Sequence, residues 1–102
     1  MNPIVNLYNR MKAQFPDAVV LCRVGDFYET FCSDAVAIAH IIGCTLTQVS
    51  GTMTPNKKGT PLAGFPRHSL DLYLPKIVKA GLRIAIVEGD QPKEIIAKRG
   101  AE

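Results

Sequence analysis

The segment AVVLCRVGDFYETF, residues 18–31, decides how the rest of the chain is read. Ala18 to Val24 are rich in β-branched and apolar residues and read as a buried strand. Gly25 interrupts the run, and the strand is expected to continue through GDFYET after a glycine irregularity. Side chains alternate along an extended chain, so Phe27 and Glu29 point one way while Asp26 and Tyr28 point the other. A ring and a carboxylate therefore share one surface.

A strand of this kind needs helices over it, and the flanking sequence supplies them. Asn2 and Pro3 make an N-cap and first-turn pair, after which Ile4, Leu7, Tyr8 and Met11 recur at helical spacing until FPD near Pro16. Ser33 and Asp34 are placed to cap a second helix whose apolar positions Val36, Ile38, Ala39, Ile41 and Ile42 run to Gly43. From Cys44, CTLTQVS alternates as a strand does, and GTMTPNKKGTP reads as an exposed, mobile loop or hairpin tip. Leu70, Tyr73, Leu74, Ile77 and Val78 share one face of a third helix, with a kink expected at Pro75 and an end at Gly81. RIAIVE, residues 83–88, is a further strand. Residues 91–102 are expected to form a tail or a short helix, with Pro92 in its first turn and Ile95 and Ile96 as its apolar anchors. Helices alternating with strands over short links predict, for residues 1–90, an α/β domain of the α+β type: a small mixed β-sheet flanked by helices.

Composition narrows the function. With 102 residues, 47% hydrophobic and 21% charged, the chain fits one globular domain. A net charge of +3 suits a polyanionic partner without requiring one. MNPIVNLYNRMK lacks the apolar core of a signal peptide, and no apolar run reaches the roughly 18 residues of a bilayer span, so a cytoplasmic setting without membrane contact is expected. Cys22, Cys32 and Cys44 lack the paired short spacings of a zinc site and read as reduced packing residues. His40 and His68 stand far apart, and neither metal nor cofactor is expected.

Phe27 and Glu29 admit two readings. An exposed ring can wedge against a base step while the neighbouring acid hydrogen-bonds a base edge. Alternatively the ring belongs to the core and the acid to the solvated surface, where these residue types usually stand. Asp26, Glu29, Asp34, Glu88 and Asp90, with Lys93, are residue types of a metal-dependent nuclease, but acids at strand ends are far more often plain surface residues. NKKGT, residues 56–60, lacks the residue order of a phosphate-binding loop, although Lys57 and Lys58 suit either a nucleic-acid backbone or a solubilised turn. Lys76, Lys79 and Arg83 read as a solvated helix face, and Ser69 beside His68 lacks a nucleophile elbow.

Taken together, RMKAQFPDAVVLCRVGDFYETFCSDA, GCTLTQ and PLAGFPRHSLDLYLPKIVKAGLRIAIVE resemble, in order and over nearly the whole chain, the N-terminal mismatch-recognition domain of the MutS DNA mismatch repair family. The resemblance implies that Phe27 and Glu29 match the family's Phe-x-Glu element. There the phenylalanine stacks on a mispaired or unpaired base from the minor groove and the glutamate hydrogen-bonds that base. It further implies a non-catalytic DNA-binding module whose partner is mismatched or distorted duplex, with Arg23, Lys57, Lys58 and Arg67 as candidate phosphate contacts. ATP binding belongs to other domains of the family, and this chain holds no Walker loop. Three positions depart from the family pattern: Val49 follows LTQ where a basic residue is usual, Arg67 replaces a common tyrosine, and Gly89 replaces a glutamine. Val49 and the poorly anchored tail favour an alternative, a protein-interaction module that keeps the fold without mismatch recognition and binds a protein partner or a second copy.

Overall fold

The computed structural model describes residues 3–49, 59–89 and 91–96. In chain order the elements are α1 (Pro3–Gln14), β1 (Ala18–Val24), β2 (Phe27–Phe31), α2 (Cys32–Ile42), β3 (Thr47–Val49) and β4 (Thr60–Pro66). A 3₁₀ turn (Arg67–Ser69), α3 (Leu70–Lys79), β5 (Arg83–Glu88) and β6 (Gln91–Ile96) follow. The strands form one sheet in the order β3-β4-β2-β1-β5-β6. β1 and β5 run parallel and every other neighbouring pair antiparallel, so the sheet is mixed, as expected.

The apolar run of β1 is explained by its two covered faces. Ala18, Val20 and Cys22 meet Val5, Leu7, Tyr8 and Met11 of α1, whereas Val19 and Leu21 meet Ala35 and Ile38 of α2 and Ile77 of α3. A central strand sealed on both sides has no solvent face on which to place polar residues. Each aliphatic side chain fully buried in this way contributes about 1.5–3 kcal/mol. The α3 face works as its periodicity predicts: Leu70, Tyr73, Leu74, Ile77 and Val78 all belong to the second cluster, and the helix runs through Pro75.

Two expectations are corrected. GDFYET does not prolong β1. Gly25 takes φ 60 and the chain reverses, so Val24 pairs with Phe27 and β2 returns antiparallel along β1. A two-residue turn needs positive φ at its first central residue, which glycine adopts at no steric cost. Gln91–Ile96 is a strand and not a short helix; it pairs with β5 across a bulge at Ile86/Val87. Pro92 is compatible with this because β6 lies at the sheet edge, where a missing N–H breaks no ladder on the open side. The Asn2 cap and the loop of residues 50–58 fall outside the described residues.

Smaller differences follow from the same packing. β3 starts at Thr47 and not at Cys44. α2 is entered directly from β2 with no linker, and Cys32 takes φ 58, a left-handed conformation costing a non-glycine residue roughly 1–2 kcal/mol. No side chain caps this helix. Asp34, expected as a cap, is buried under α1 instead, where Oδ2 accepts from the Tyr8 hydroxyl at 2.7 Å and the Val20 amide at 3.2 Å, and Oδ1 from Lys12 Nζ at 3.0 Å.

Candidate nucleic-acid interface

The β1–β2 hairpin and the exit of β4 bring the sequence-predicted pair to one end of the sheet. Phe27 has Val24 and Pro66 as cross-strand partners and is 49% exposed, whereas its neighbour Tyr28 is buried in the cluster under α2 and α3. The ring therefore does not belong to the core. Phe27, Glu29 and Phe31 alternate onto the α1 face, and α1 reaches only the last of them: Phe31 packs edge-on against Tyr8 with ring centroids 5.5 Å apart. Beyond the end of that cover, Phe27 stands open and Glu29 half-buried.

Glu29 lies opposite Gly64 of β4, and the lack of a side chain there makes its berth. A Cβ at position 64 would stand 2.8 Å from the Tyr28 carbonyl oxygen and 3.3 Å from Glu29 Cγ. Gly64→Ala is accordingly expected to cost about 1–3 kcal/mol, as overpacking does, seen as a fall of several degrees in thermal midpoint. An unchanged midpoint would show that Glu29 and the β2 backbone yield freely.

Burial raises the Glu29 carboxyl above its ordinary value of 4.5. A raised carboxyl favours the protonated form in the folded state, so its contribution is most favourable below 4.5 and is lost as pH rises through the higher folded value. Glu29→Gln is expected to raise the thermal midpoint at pH 7 and to lose that gain as the pH is brought below 4.5. A series of melts from pH 4 to 7 with a constant difference would contradict this origin.

The candidate phosphate contacts do not all converge. Arg23 pairs across the hairpin with Tyr28, on the face opposite Phe27. Its Nε donates to the Gly25 carbonyl at 3.1 Å and its Nη1 to Glu88 Oε1 at 3.4 Å, and the Tyr28 hydroxyl donates to Glu88 Oε2 at 3.3 Å. Arg23 thus braces the hairpin turn from behind. Arg67 is exposed beside Phe27, and its backbone amide donates to the Asp26 carbonyl at 2.6 Å, one rung beyond Phe27 and Pro66. Lys57 and Lys58 lie outside the described residues.

Nor do the acids gather among the described residues, outside which Asp90 lies. Asp26 is exposed at the turn, Asp34 is buried beneath α1, and Glu88 serves Arg23 and Tyr28 on the other face. Among the described residues no group of three potential ligands is placed to hold a metal. The same residues contain no helix long and apolar enough to cross a membrane. Gly64 and His68 were not evident as site residues in the sequence, and Glu88 was read only as one of several acids, because only the folded chain sets Gly64 beside Glu29, Glu88 beside Arg23 and His68 beside Phe27.

Comparison with known proteins points the same way as this geometry. A family described as MutS domain I matches residues 2–100. The chain is 52% identical over 101 residues to the DNA mismatch repair protein MutS of Flavobacterium psychrophilum, covering 96% of this chain and 11% of that protein. It is 45% identical to the MutS proteins of Porphyromonas gingivalis, over 101 residues, and Methanothrix thermoacetophila, over 95. Those matches cover 96% and 92% of the chain and 11% of each relative, so the chain spans about a ninth of the length of these proteins.

Proposed function

The chain belongs to the MutS domain I family, and from that premise we propose that it is a non-catalytic DNA-binding module that senses mispaired or unpaired bases with Phe27 and Glu29. The observation that carries the reading is the exposure of Phe27 at the end of the sheet, with Glu29 next to it on the same face. An open aromatic ring on a rigid hairpin suits insertion at a base step, and a step with a defective pair costs less to unstack than an intact one. Glu29 adds selectivity, because a carboxylate among phosphates is repelled unless it meets a donor or takes up a proton.

Arg67, which lines a cleft with Phe27, is the first candidate for a phosphate contact, and Lys57 and Lys58 are candidates on the 50–58 segment. The test is fluorescence anisotropy of a labelled duplex carrying one unpaired thymine against its fully paired twin at low salt. Preference for the defective duplex is expected, at protein concentrations reaching the roughly 0.1 mM of weak non-specific binding. Equal or absent binding would instead favour the protein-interaction module.

A further inference from the structure

A cleft of about 350 Å³ opens beside the probe, lined by Asp26, Phe27, Pro66, Arg67 and His68. Its floor is set by the fold: the turn at Gly25 and the exit of β4 meet there, and the bond from the Arg67 amide to the Asp26 carbonyl closes the last rung. Phe27 and Pro66 give it an apolar wall, while Arg67 and His68, both exposed, bring N–H donors to its rim. Among the described residues the ion pairs take up Lys12, Arg23 and Arg83, and Arg67 is in none of them. The volume lies at the small end of ligand clefts, about 300–1,000 Å³, and fits one sugar-phosphate unit.

We propose that this cleft seats the phosphodiester next to the probed nucleotide, with the Arg67 guanidinium and the His68 imidazole as donors and the sugar against Phe27 and Pro66. The proposal rests on the DNA-binding reading above and adds to it a defined backbone subsite and a role for His68. A planar guanidinium offers two parallel N–H groups to a phosphate, and a histidine beside it supplies a further donor. Asp26 opposes both, since it lines the same cleft and a carboxylate repels an entering phosphate. The subsite therefore grips moderately, and the stacking step of Phe27 is left to decide between duplexes.

The test is binding of the defective and paired duplexes across a salt series by wild type and by Arg67→Ala, His68→Ala, His68→Gln and Asp26→Asn, each first checked for folding by thermal melt. Arg67→Ala is expected to weaken both duplexes about tenfold, the loss of one charge-assisted hydrogen bond, and to lower the salt slope by about one. His68→Ala weakens both as well, His68→Gln recovers part of the loss because its amide still donates, and Asp26→Asn tightens both. A methylphosphonate replacing the phosphate beside the unpaired thymine removes the Arg67 and His68 effects. Unchanged affinity and slope in Arg67→Ala and His68→Ala, or weaker binding in Asp26→Asn, overturns the subsite. If wild type prefers the defective duplex while these variants behave like it, the subsite alone fails. If wild type shows no preference but the variants still lose affinity for every duplex, mismatch sensing alone fails. Absence of any duplex binding by wild type overturns both.

Discussion

Phe27→Ala is expected to abolish the preference for a duplex with one unpaired thymine over its paired twin while the protein stays folded. Stacking of one base on an aromatic side chain is worth about 1–3 kcal/mol by alanine substitution, a factor of roughly 5 to 150 in affinity. That energy is available mainly where a defect has already lowered the cost of opening the step, so its loss falls on the defective duplex and leaves the paired one almost unchanged. Stability responds differently because the ring is 49% exposed. A surface substitution costs within about 0.5 kcal/mol, or roughly 2–4 °C for a domain of this size, whereas a core phenylalanine costs about 3–5 kcal/mol. Anisotropy titrations of both duplexes, with thermal melts of wild type and variant, read the two effects separately. A variant that keeps the preference sinks the role of Phe27, and one that unfolds several kcal/mol more easily places the ring in the core.

Much of this arrangement was legible in the sequence, for reasons that differ between elements. β1 announced itself because burial on both faces writes a continuous apolar run. α3 did so through five apolar residues at helical spacing, all of which pack as that spacing requires. The pairing of Phe27 with Glu29 survived an incorrect topology. Alternation puts residues two apart on one face whether the strand continues or folds back as a hairpin, so the shared face of Phe27 and Glu29 was legible where the path of the chain was not.

What stayed hidden depends on long-range pairing. Gly-Asp between two strand-like runs is a two-residue hairpin signal, and it occurs at residues 25–26 and again at 89–90. The local pattern alone left the first open to reading as an irregularity and made Pro92 look like the start of a helix. Arg23 illustrates a harder limit: its partner Glu88 lies 65 residues away, on a strand brought alongside only by the parallel β1–β5 pairing. A basic residue near a probe motif invites assignment to phosphate, and only the sheet shows it turned to the opposite face. Gly64 is similar, since its lack of a side chain acquires meaning only from the register that sets it against Glu29.

Asp34 carries the largest expected effect on stability, and the sequence offered it only as a helix cap or a metal ligand. The β1–β2 pairing runs from Val24 to Cys22, and nearer the start of β1 the chain of β2 leaves for α2. The Val20 amide is bound there by the Asp34 carboxylate, which also accepts from Tyr8 and Lys12 of α1. Lys12 Nζ donates in addition to the Ala18 carbonyl at 2.5 Å, so one buried carboxylate ties α1, β1 and α2 together. Burial, and then the bond to Asp34, push the Tyr8 phenol far above its ordinary range, which keeps it a neutral donor. Asp34→Ala strands two buried donors, the Tyr8 hydroxyl and the Val20 amide, and takes the ion-pair partner from part-exposed Lys12, which keeps its bond to the Ala18 carbonyl; at about 1–3 kcal/mol for each buried donor left unpaired, the loss is roughly 3–5 kcal/mol. Set against a total of about 5–15 kcal/mol for a domain, that is a loss of a third or more, and urea titration is expected to show it as a large fall in midpoint at unchanged slope. The variant lies far from Phe27 in the fold, so the fraction that remains folded should still prefer the defective duplex. A midpoint shift below about 1 kcal/mol would mean that water replaces the carboxylate at little cost, and that the three elements are held by their apolar contacts alone.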